Sequence, residues 1–369
     1  MSKLNKAKQI IKIISWCLCV LICTLTLASA YGGYVNPNKM VSFALLAMAF
    51  PLFLILLFIA TMVFGVAKRD LLADICALTM VACLPALSNY SPGNFSYPKP
   101  TPGAPTLKVM NFNAIEYNMD PQVKDILAPN PSVQCIIDAG ADIVCLQECV
   151  LAEYFKGKYG ITQAQINELA RMYPYRNTTI EMSVYSRYPI LKIRRIPQPY
   201  HSTIVMLYEI DYPGQPLSVF SVHLASLRLD RHDREVYAKL TEGGVGRKSL
   251  TDARSGLLSK FAQASRGRAE QTEELISVAD SIGGNIIFCG DFNDIPSCYA
   301  DHLFRRAGYT DAYAEAGCGP GISFRKDHFF FRIDHVFSRG NLRPVSCRVL
   351  KEGLSDHYPV LTTFEVITD

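Results

Sequence analysis

The 369-residue sequence predicts an α/β protein, two packed β-sheets with helices outside them, preceded by membrane helices. Three observations lead there. Beyond residue 106, many short β-branched runs alternate with only three segments of helical spacing, which implies a large antiparallel content. The first 88 residues are instead long apolar stretches with basic flanks. Several strand-like runs end in carboxylates, and acids are rarely enclosed unless paired or bound to a cation.

The membrane part, residues 1–88, predicts three spans, at about 10–30, 41–67 and 71–88. The third is shorter and carries Asp74 and Pro85. Lys3, Lys6, Lys8 and Lys12 place the N-terminus in the cytoplasm, and Lys68-Arg69 place the second short loop there too. Three spans then deliver everything after Ser88 to the periplasmic or extracellular side of a cytoplasmic membrane. Ala28-Ser29-Ala30 also fits a signal-peptidase site, and its cleavage would not change that destination.

Charge separates the two parts. Of 37 Lys/Arg and 33 Asp/Glu, residues 1–100 hold eight and two, which leaves 29 and 31 for the rest. The net +4 therefore belongs to membrane flanks, and the remainder lacks the basic excess of a nucleic-acid footprint. The twelve cysteines follow no metal-type spacing. Cys145 and Cys289 read as small buried strand residues, whereas Cys298 and Cys318 are candidates to approach each other.

Residues 89–106, with Pro92, Pro98, Pro100, Pro102 and Pro105, read as a semi-extended tether separating the membrane part from a domain at 107–369. Strands are predicted in that domain at 107–112, 143–146, 183–185, 204–210, 217–222, 286–288, 333–337 and 360–366. Helical spacing covers 133–139, 162–171 and 254–281. A basic arm at 224–269 reads either as a solvated helical face or as a phosphate- or headgroup-facing element. Its Gly243-Gly244-Val245-Gly246 lacks the context of a phosphate-binding loop.

The chemistry lies in three strings: Leu146-Gln147-Glu148, Gly290-Asp291-Phe292-Asn293-Asp294 and Ser355-Asp356-His357. Glu148 is the first choice of metal ligand, since Mg²⁺ needs only one or two carboxylates. Alternation points Asp291 and Asn293 the same way while Phe292 turns into the core, and Gly290 permits close backbone approach. Asp291 can accept a proton from water, and neutral Asn293 can hydrogen-bond a phosphoryl oxygen. Asp294 reads as a turn or cap residue. Asp334 is expected to hold one ring nitrogen of His357, fixing its tautomer, with Asp356 directed at the metal or a coordinated water. His335 should face away from Asp334. His223 and Asn113, each at a strand end, are a candidate second histidine and a candidate amide.

In this order, the strings resemble the endonuclease/exonuclease/phosphatase superfamily, over about 107–364. Asn113, Gln147-Glu148, Ser186-Arg187-Tyr188-Pro189-Ile190, His223-Leu224, Gly290-Asp291-Phe292-Asn293, Ile333-Asp334 and Ser355-Asp356-His357 carry the resemblance. It implies a four-layer αββα sandwich, as in DNase I, and Mg²⁺- or Mn²⁺-dependent cleavage of phosphoesters by direct attack of water. It further implies Glu148 as principal metal ligand, Asn113 in support, His357 oriented by Asp334, Asp291 and Asn293 on the nucleophile side, and His223 as the second histidine. Either Asp291 or His357 fits the role of base. Glu181 is the available stand-in for the acid that orients the second histidine.

The expected function is a membrane-anchored phosphoesterase whose partners are the bilayer and a lipid headgroup, a small phosphoester or a nucleic acid. No obligate protein partner is evident. A metal-dependent nuclease is the alternative within the class, and a non-catalytic receptor or scaffold on the same fold is the alternative outside it.

Overall fold

The computed structural model describes residues 3–367 except 97, 118–128, 180, 199–202, 228–246, 327–328 and 353–354, and the backbone alone at 3–4, 247–255 and 329. Arg228, Arg231, Arg234, Lys239 and the Gly243–Gly246 run of the basic arm lie outside the described residues.

Five helices form the N-terminal unit: α1 (Lys3–Ala30), α2 (Val41–Met48), α3 (Phe50–Val66), α4 (Asp70–Ala82) and α5 (Leu84–Tyr90). Helix α1 is long and apolar enough to cross a membrane. The other two expected spans are each broken, α2 from α3 by a 63° bend and α4 from α5 by 50°. Proline explains both breaks. Pro51 and Pro85 lack an N–H, and their rings exclude the carbonyl four residues back, so each sits in the first turn of a new helix.

The remaining chain builds two six-stranded sheets. The first runs β13 (Leu342–Val349), β14 (Val360–Val366), β1 (Thr106–Asn113), β2 (Ile143–Gln147), β4 (Met182–Ser186), β3 (Tyr175–Thr178). The second runs β5 (Ile190–Ile196), β6 (Ile204–Tyr212), β7 (Gln215–His223), β8 (Asn285–Asp291), β12 (Asp334–Arg339), β9 (Thr310–Asp311). Pairings are antiparallel except β1 with β2 and β7 with β8. A separate hairpin joins β10 (Phe324–Lys326) to β11 (Phe329–Phe331).

Strand alternation makes the layers. Leu107, Val109, Ile143, Cys145, Val219 and Ile287 fill the space between the sheets. Their neighbours Met110, Phe112, Val144 and Leu146 point outward, under α6 (Pro131–Ala139) and α7 (Gln163–Met172). Phe220, Val222, Ile286 and Phe288 point outward on the other sheet, under α8 (Arg247–Ile282) and α9 (Tyr299–Arg306). Each such buried side chain is worth about 1.5–3 kcal/mol. The result is the four-layer αββα sandwich.

The tether does not stand off from the domain. Asn94 Nδ2 donates to the carbonyls of Ala314 and Glu315 at 3.0 Å, and Gly319 N donates to Pro92 O at 2.8 Å. The helical unit is docked as well. The rings of Tyr34 and His302 lie 3.8 Å apart, Asn36 Nδ2 donates to Glu273 Oε1 at 3.0 Å, and Ala47 packs with Ile295 and Cys298. All twelve cysteines are free thiols, so Cys298 and Cys318 are not joined.

Candidate active site

The inner faces of the strands switch from apolar to polar at one end of the slot. β1 presents Leu107, Val109, Asn111, Asn113; β2 presents Ile143, Cys145, Gln147; β7 presents Leu217, Val219, Ser221, His223. β8 presents Ile287, Cys289, Asp291, and antiparallel β12 begins at Asp334, directly opposite Asp291. Parallel register sets Asn113 beside Gln147 and His223 beside Asp291. A two-residue period therefore delivers the polar cluster to one rim.

Glu148 lies one residue past β2 at φ 51°, a left-handed conformation that costs a non-glycine residue roughly 1 kcal/mol or more. Its carboxylate accepts from Asn113 Nδ2 at 3.0 Å, and the same amide donates to Asp291 Oδ2 at 3.1 Å. His223 Nε2 stands 3.7 Å from Glu148 and 3.9 Å from Asp291. His357 Nε2 stands 3.6 Å from Asp291 on the other side, and its Nδ1 lies 2.8 Å from Asp334 Oδ2. Seven of the eight candidate residues thus meet around Asp291. Asp356 is the exception. Its Oδ2 is drawn 3.1 Å from Lys326 Nζ, away from the Glu148–His223–Asp291 cluster, although it lines the same cavity.

Asn293, also left-handed at φ 51°, donates its backbone N–H to Asp291 Oδ1 at 2.8 Å and its amide to the Leu224 carbonyl at 3.1 Å. Phe292 is buried against Phe304 and Phe337. Asp294 does more than cap Ile295: it is buried in an ion pair with Arg268, at 3.3 Å. Exposed Glu181 accepts from Cys149 N through its backbone carbonyl, and the acids beside His223 are Glu148 and Asp291 instead. His335 faces the helical layer, where its Nε2 meets Asp294 O at 2.9 Å.

Electrostatics couple the cluster. Burial pushes the Asp291 carboxyl up from its ordinary value, and Asp334 adds to this, while His357 and His223 pull it down. Burial alone would lower the pKa of His357. Asp334 and Asp291 outweigh it and raise the imidazole to about 10.

A hard divalent cation fits these residues. Glu148, His223 and Asp291 offer ligand atoms within 4.8 Å of one another. Asn113 Oδ1 is buried without a hydrogen-bond partner among the described residues while Nδ2 faces both carboxylates, and turning the amide over would present the oxygen to a cation there.

The supporting roles of several residues escaped sequence reasoning, including those of Ser355 and Gln147, which lie in the strings already named. Ser355 Oγ donates to Asn113 O at 2.6 Å and accepts from His357 N at 3.1 Å, tying the histidine loop to β1. Ser323 Oγ accepts from the N–H groups of Ile333 and Asp334, both at 3.1 Å. Asn111 Nδ2 reaches Asp334 at 3.4 Å, and Gln147 donates to Ser221 at 3.1 Å. For Asn111, Gln147 and Ser221 the signal was present: each occupies an inner-face position one step before a strand-end site residue. Ser323 and Met48, which also lines the cavity, carried none.

A family model described as the Endonuclease/Exonuclease/phosphatase family matches residues 122–357. A model of a domain of unknown function matches residues 11–90. No curated protein matches. Among solved structures, the chain is similar to an endonuclease/exonuclease/phosphatase family protein from Bacteroides thetaiotaomicron, at 16% identity, covering 73% of this chain and 100% of that one, TM-score 0.48. It is also similar to an endonuclease/exonuclease/phosphatase from Beutenbergia cavernae, at 17% identity, covering 71% and 72%, TM-score 0.45. The human Nocturnin catalytic domain is similar at 16% identity, covering 72% and 96%, TM-score 0.44.

Proposed function

Because the chain belongs to the endonuclease/exonuclease/phosphatase family, we propose that it is a membrane-anchored, Mg²⁺- or Mn²⁺-dependent phosphoesterase that hydrolyses its substrate by direct attack of water. The observation that carries this is the convergence of Glu148, Asn113, His223, His357 and Asp334 on the buried carboxylate of Asp291.

Glu148 and the amide oxygen of Asn113 would hold the cation. When bound, it supplies Lewis-acid polarisation of a phosphoryl oxygen. Asp291, fixed through Oδ1 by the Asn293 N–H, presents Oδ2 to take a proton from water. His357, kept cationic by Asp334 and Asp291, donates through Nε2 to a non-bridging oxygen. Asp334 acts through His357 and is a positioning residue. His223 faces the cavity from the opposite side and protonates the departing oxygen.

Orientation is part of the same proposal. The loop after α1, helix α2 and the end of α5 all meet the catalytic domain, so they share one side of the bilayer. Lys3–Lys12 and Lys68-Arg69 occupy the opposite ends of α1 and α3, which is the cytoplasmic signature. The domain then faces the periplasm or the exterior.

The test is turnover of bis(p-nitrophenyl) phosphate by purified full-length protein with Mg²⁺ or Mn²⁺. Glu148→Ala and His357→Ala should each lower kcat by about a hundredfold to a thousandfold. Equal rates in wild type and both variants would make the protein a non-catalytic scaffold.

A further inference from the structure

We propose that the substrate is a phosphoester borne by a membrane lipid, delivered to the catalytic rim along an apolar wall that the membrane helices help to build. The inference rests on the phosphoesterase reading and adds the substrate class.

The catalytic cavity, of about 380 Å³, is lined by two kinds of side chain: the polar Glu148, Asp291, His223 and His357, and the apolar Met48, Leu227, Phe261 and Phe331. Such a division suits a ligand with a phosphate at one end and a hydrocarbon body at the other. Met48 is the telling member, because it belongs to α2 of the membrane unit and not to the sandwich. It packs with Phe331 and Ile333 in the same cluster that holds Ala47 against Ile295.

The wall runs directly into the bilayer-facing surface. Only Ala49, at the bend, separates Met48 from α3, whose Leu52 and Ile55 are 56% and 58% exposed. Leu52 follows Met48 by four residues across the 63° bend, so the cavity lies next to the start of the exposed apolar surface of α3. On the far lip, Leu258 is 50% exposed one turn before Phe261, on the same face of α8. Phe330, in the hairpin beside the cavity, is 55% exposed. Exposed apolar side chains at a membrane-proximal mouth mark a surface that hydrocarbon covers.

Composition gives a polyanion no general basic excess, since residues 101–369 hold 29 Lys/Arg against 31 Asp/Glu. Among the described lining residues the one lysine or arginine is Lys326, and it is already paired with Asp356. A nucleic acid needs several cations for successive phosphates, whereas a single lipid phosphate needs the catalytic cation alone.

The chemistry balances as ester hydrolysis. Water oxygen bonds to phosphorus, the bond from phosphorus to the alkoxide oxygen breaks, Asp291 takes the water proton and the alkoxide takes one from His223. A diester yields a phosphate monoester and an alcohol.

The experiment compares kcat/KM of the full chain in nanodiscs of mixed glycerophospholipids and sphingolipids with that on dibutyryl analogues of the same headgroups. Bis(p-nitrophenyl) phosphate serves as the soluble probe. Wild type should favour the long-chain lipids by about tenfold or more. Met48→Asp and, independently, Leu258→Glu at its exposed position should each reduce that ratio about tenfold. Turnover of the soluble diester without lipid turnover, or an equal rate on long and short chains, overturns the lipid assignment alone. So does proportional loss on both substrates in either variant with unchanged melting temperature. Turnover of neither substrate overturns the phosphoesterase reading beneath it.

Discussion

His335 shows how one residue's position in a strand decides its chemistry. Its neighbour Asp334 faces the slot and orients His357; one step on, His335 faces the helical layer and is walled in by Phe292 and Phe337. Since a carbonyl only accepts, the contact with Asp294 O requires a proton on Nε2, and Nδ1 is then buried without a partner among the described residues. Burial, with Arg332 nearby, holds the His335 pKa below its ordinary value. Protonation would place a second N–H where nothing accepts it. The folded state therefore binds fewer protons than the unfolded chain, so this contribution is complete above the ordinary histidine range and is lost as pH falls. Below about pH 6.5, unfolding free energy should decline with a slope approaching 1.4 kcal/mol per pH unit from this group. Urea unfolding at successive pH values checks it: His335→Phe should show a shallower acid slope than wild type, and an unchanged slope would mean that other groups carry it.

Gly290 does the equivalent work for a pair of elements. It pairs with Val222 in the parallel β7–β8 ladder, and a Cβ there would collide with Val222 backbone atoms, including the carbonyl oxygen. No side-chain rotation relieves a backbone clash, so Gly290→Ala must separate the strands that carry His223 and Asp291. The expected cost is about 1–3 kcal/mol, seen as a lower urea midpoint at unchanged m value, with phosphodiester turnover falling in the same variant. An unaltered midpoint would show that the ladder absorbs the methyl. Strands like these two were legible in the sequence, and the pattern of what was not is physical. All eight strands predicted from sequence are interior: β14, β1, β2 and β4 in one sheet, β6, β7, β8 and β12 in the other. The four sheet strands left unread, β13, β3, β5 and β9, are the four edges. Edge strands are blunted against further pairing, and the same devices erase their pattern. β5 carries Lys192, Arg194 and Arg195 and a register shift at its start; β13 carries Pro344 and a bulge beside it. The site was legible for a matching reason: Glu148, His223, Asp291 and Asp334 sit at the ends of interior strands. Asp356 alone was not legible, because the lysine it pairs with, Lys326, comes from a hairpin with no advance signal.

At the scale of the whole molecule, the N-terminal helical unit and the sandwich domain share surfaces that neither completes alone. Local patterns cannot reveal this, since Pro92–Pro105 reads as a spacer while its backbone in fact pairs with the domain. A close point of docking is the turn Gly32–Tyr34, between α1 and α2. A Cβ on Gly33 would run into the Ser297 carbonyl and the Cys298 backbone, just before α9, and next to it Tyr34 stacks on His302. A branched residue at position 33 must therefore lift the turn from the domain without touching any catalytic side chain. The consequence travels along α2, because Met48 reaches the cavity wall only while Ala47 is seated against Ile295 and Cys298. Gly33→Val in the full chain should make the segment 91–105 markedly more sensitive to limited proteolysis and lower the thermal midpoint of the domain. Overpacking of this kind typically costs about 1–3 kcal/mol. Because the sandwich core does not depend on the displaced contact, the purified variant should retain the far-ultraviolet circular dichroism spectrum of the wild type. Proteolysis and melting identical to wild type would mean that the two units are held together elsewhere, by the tether alone.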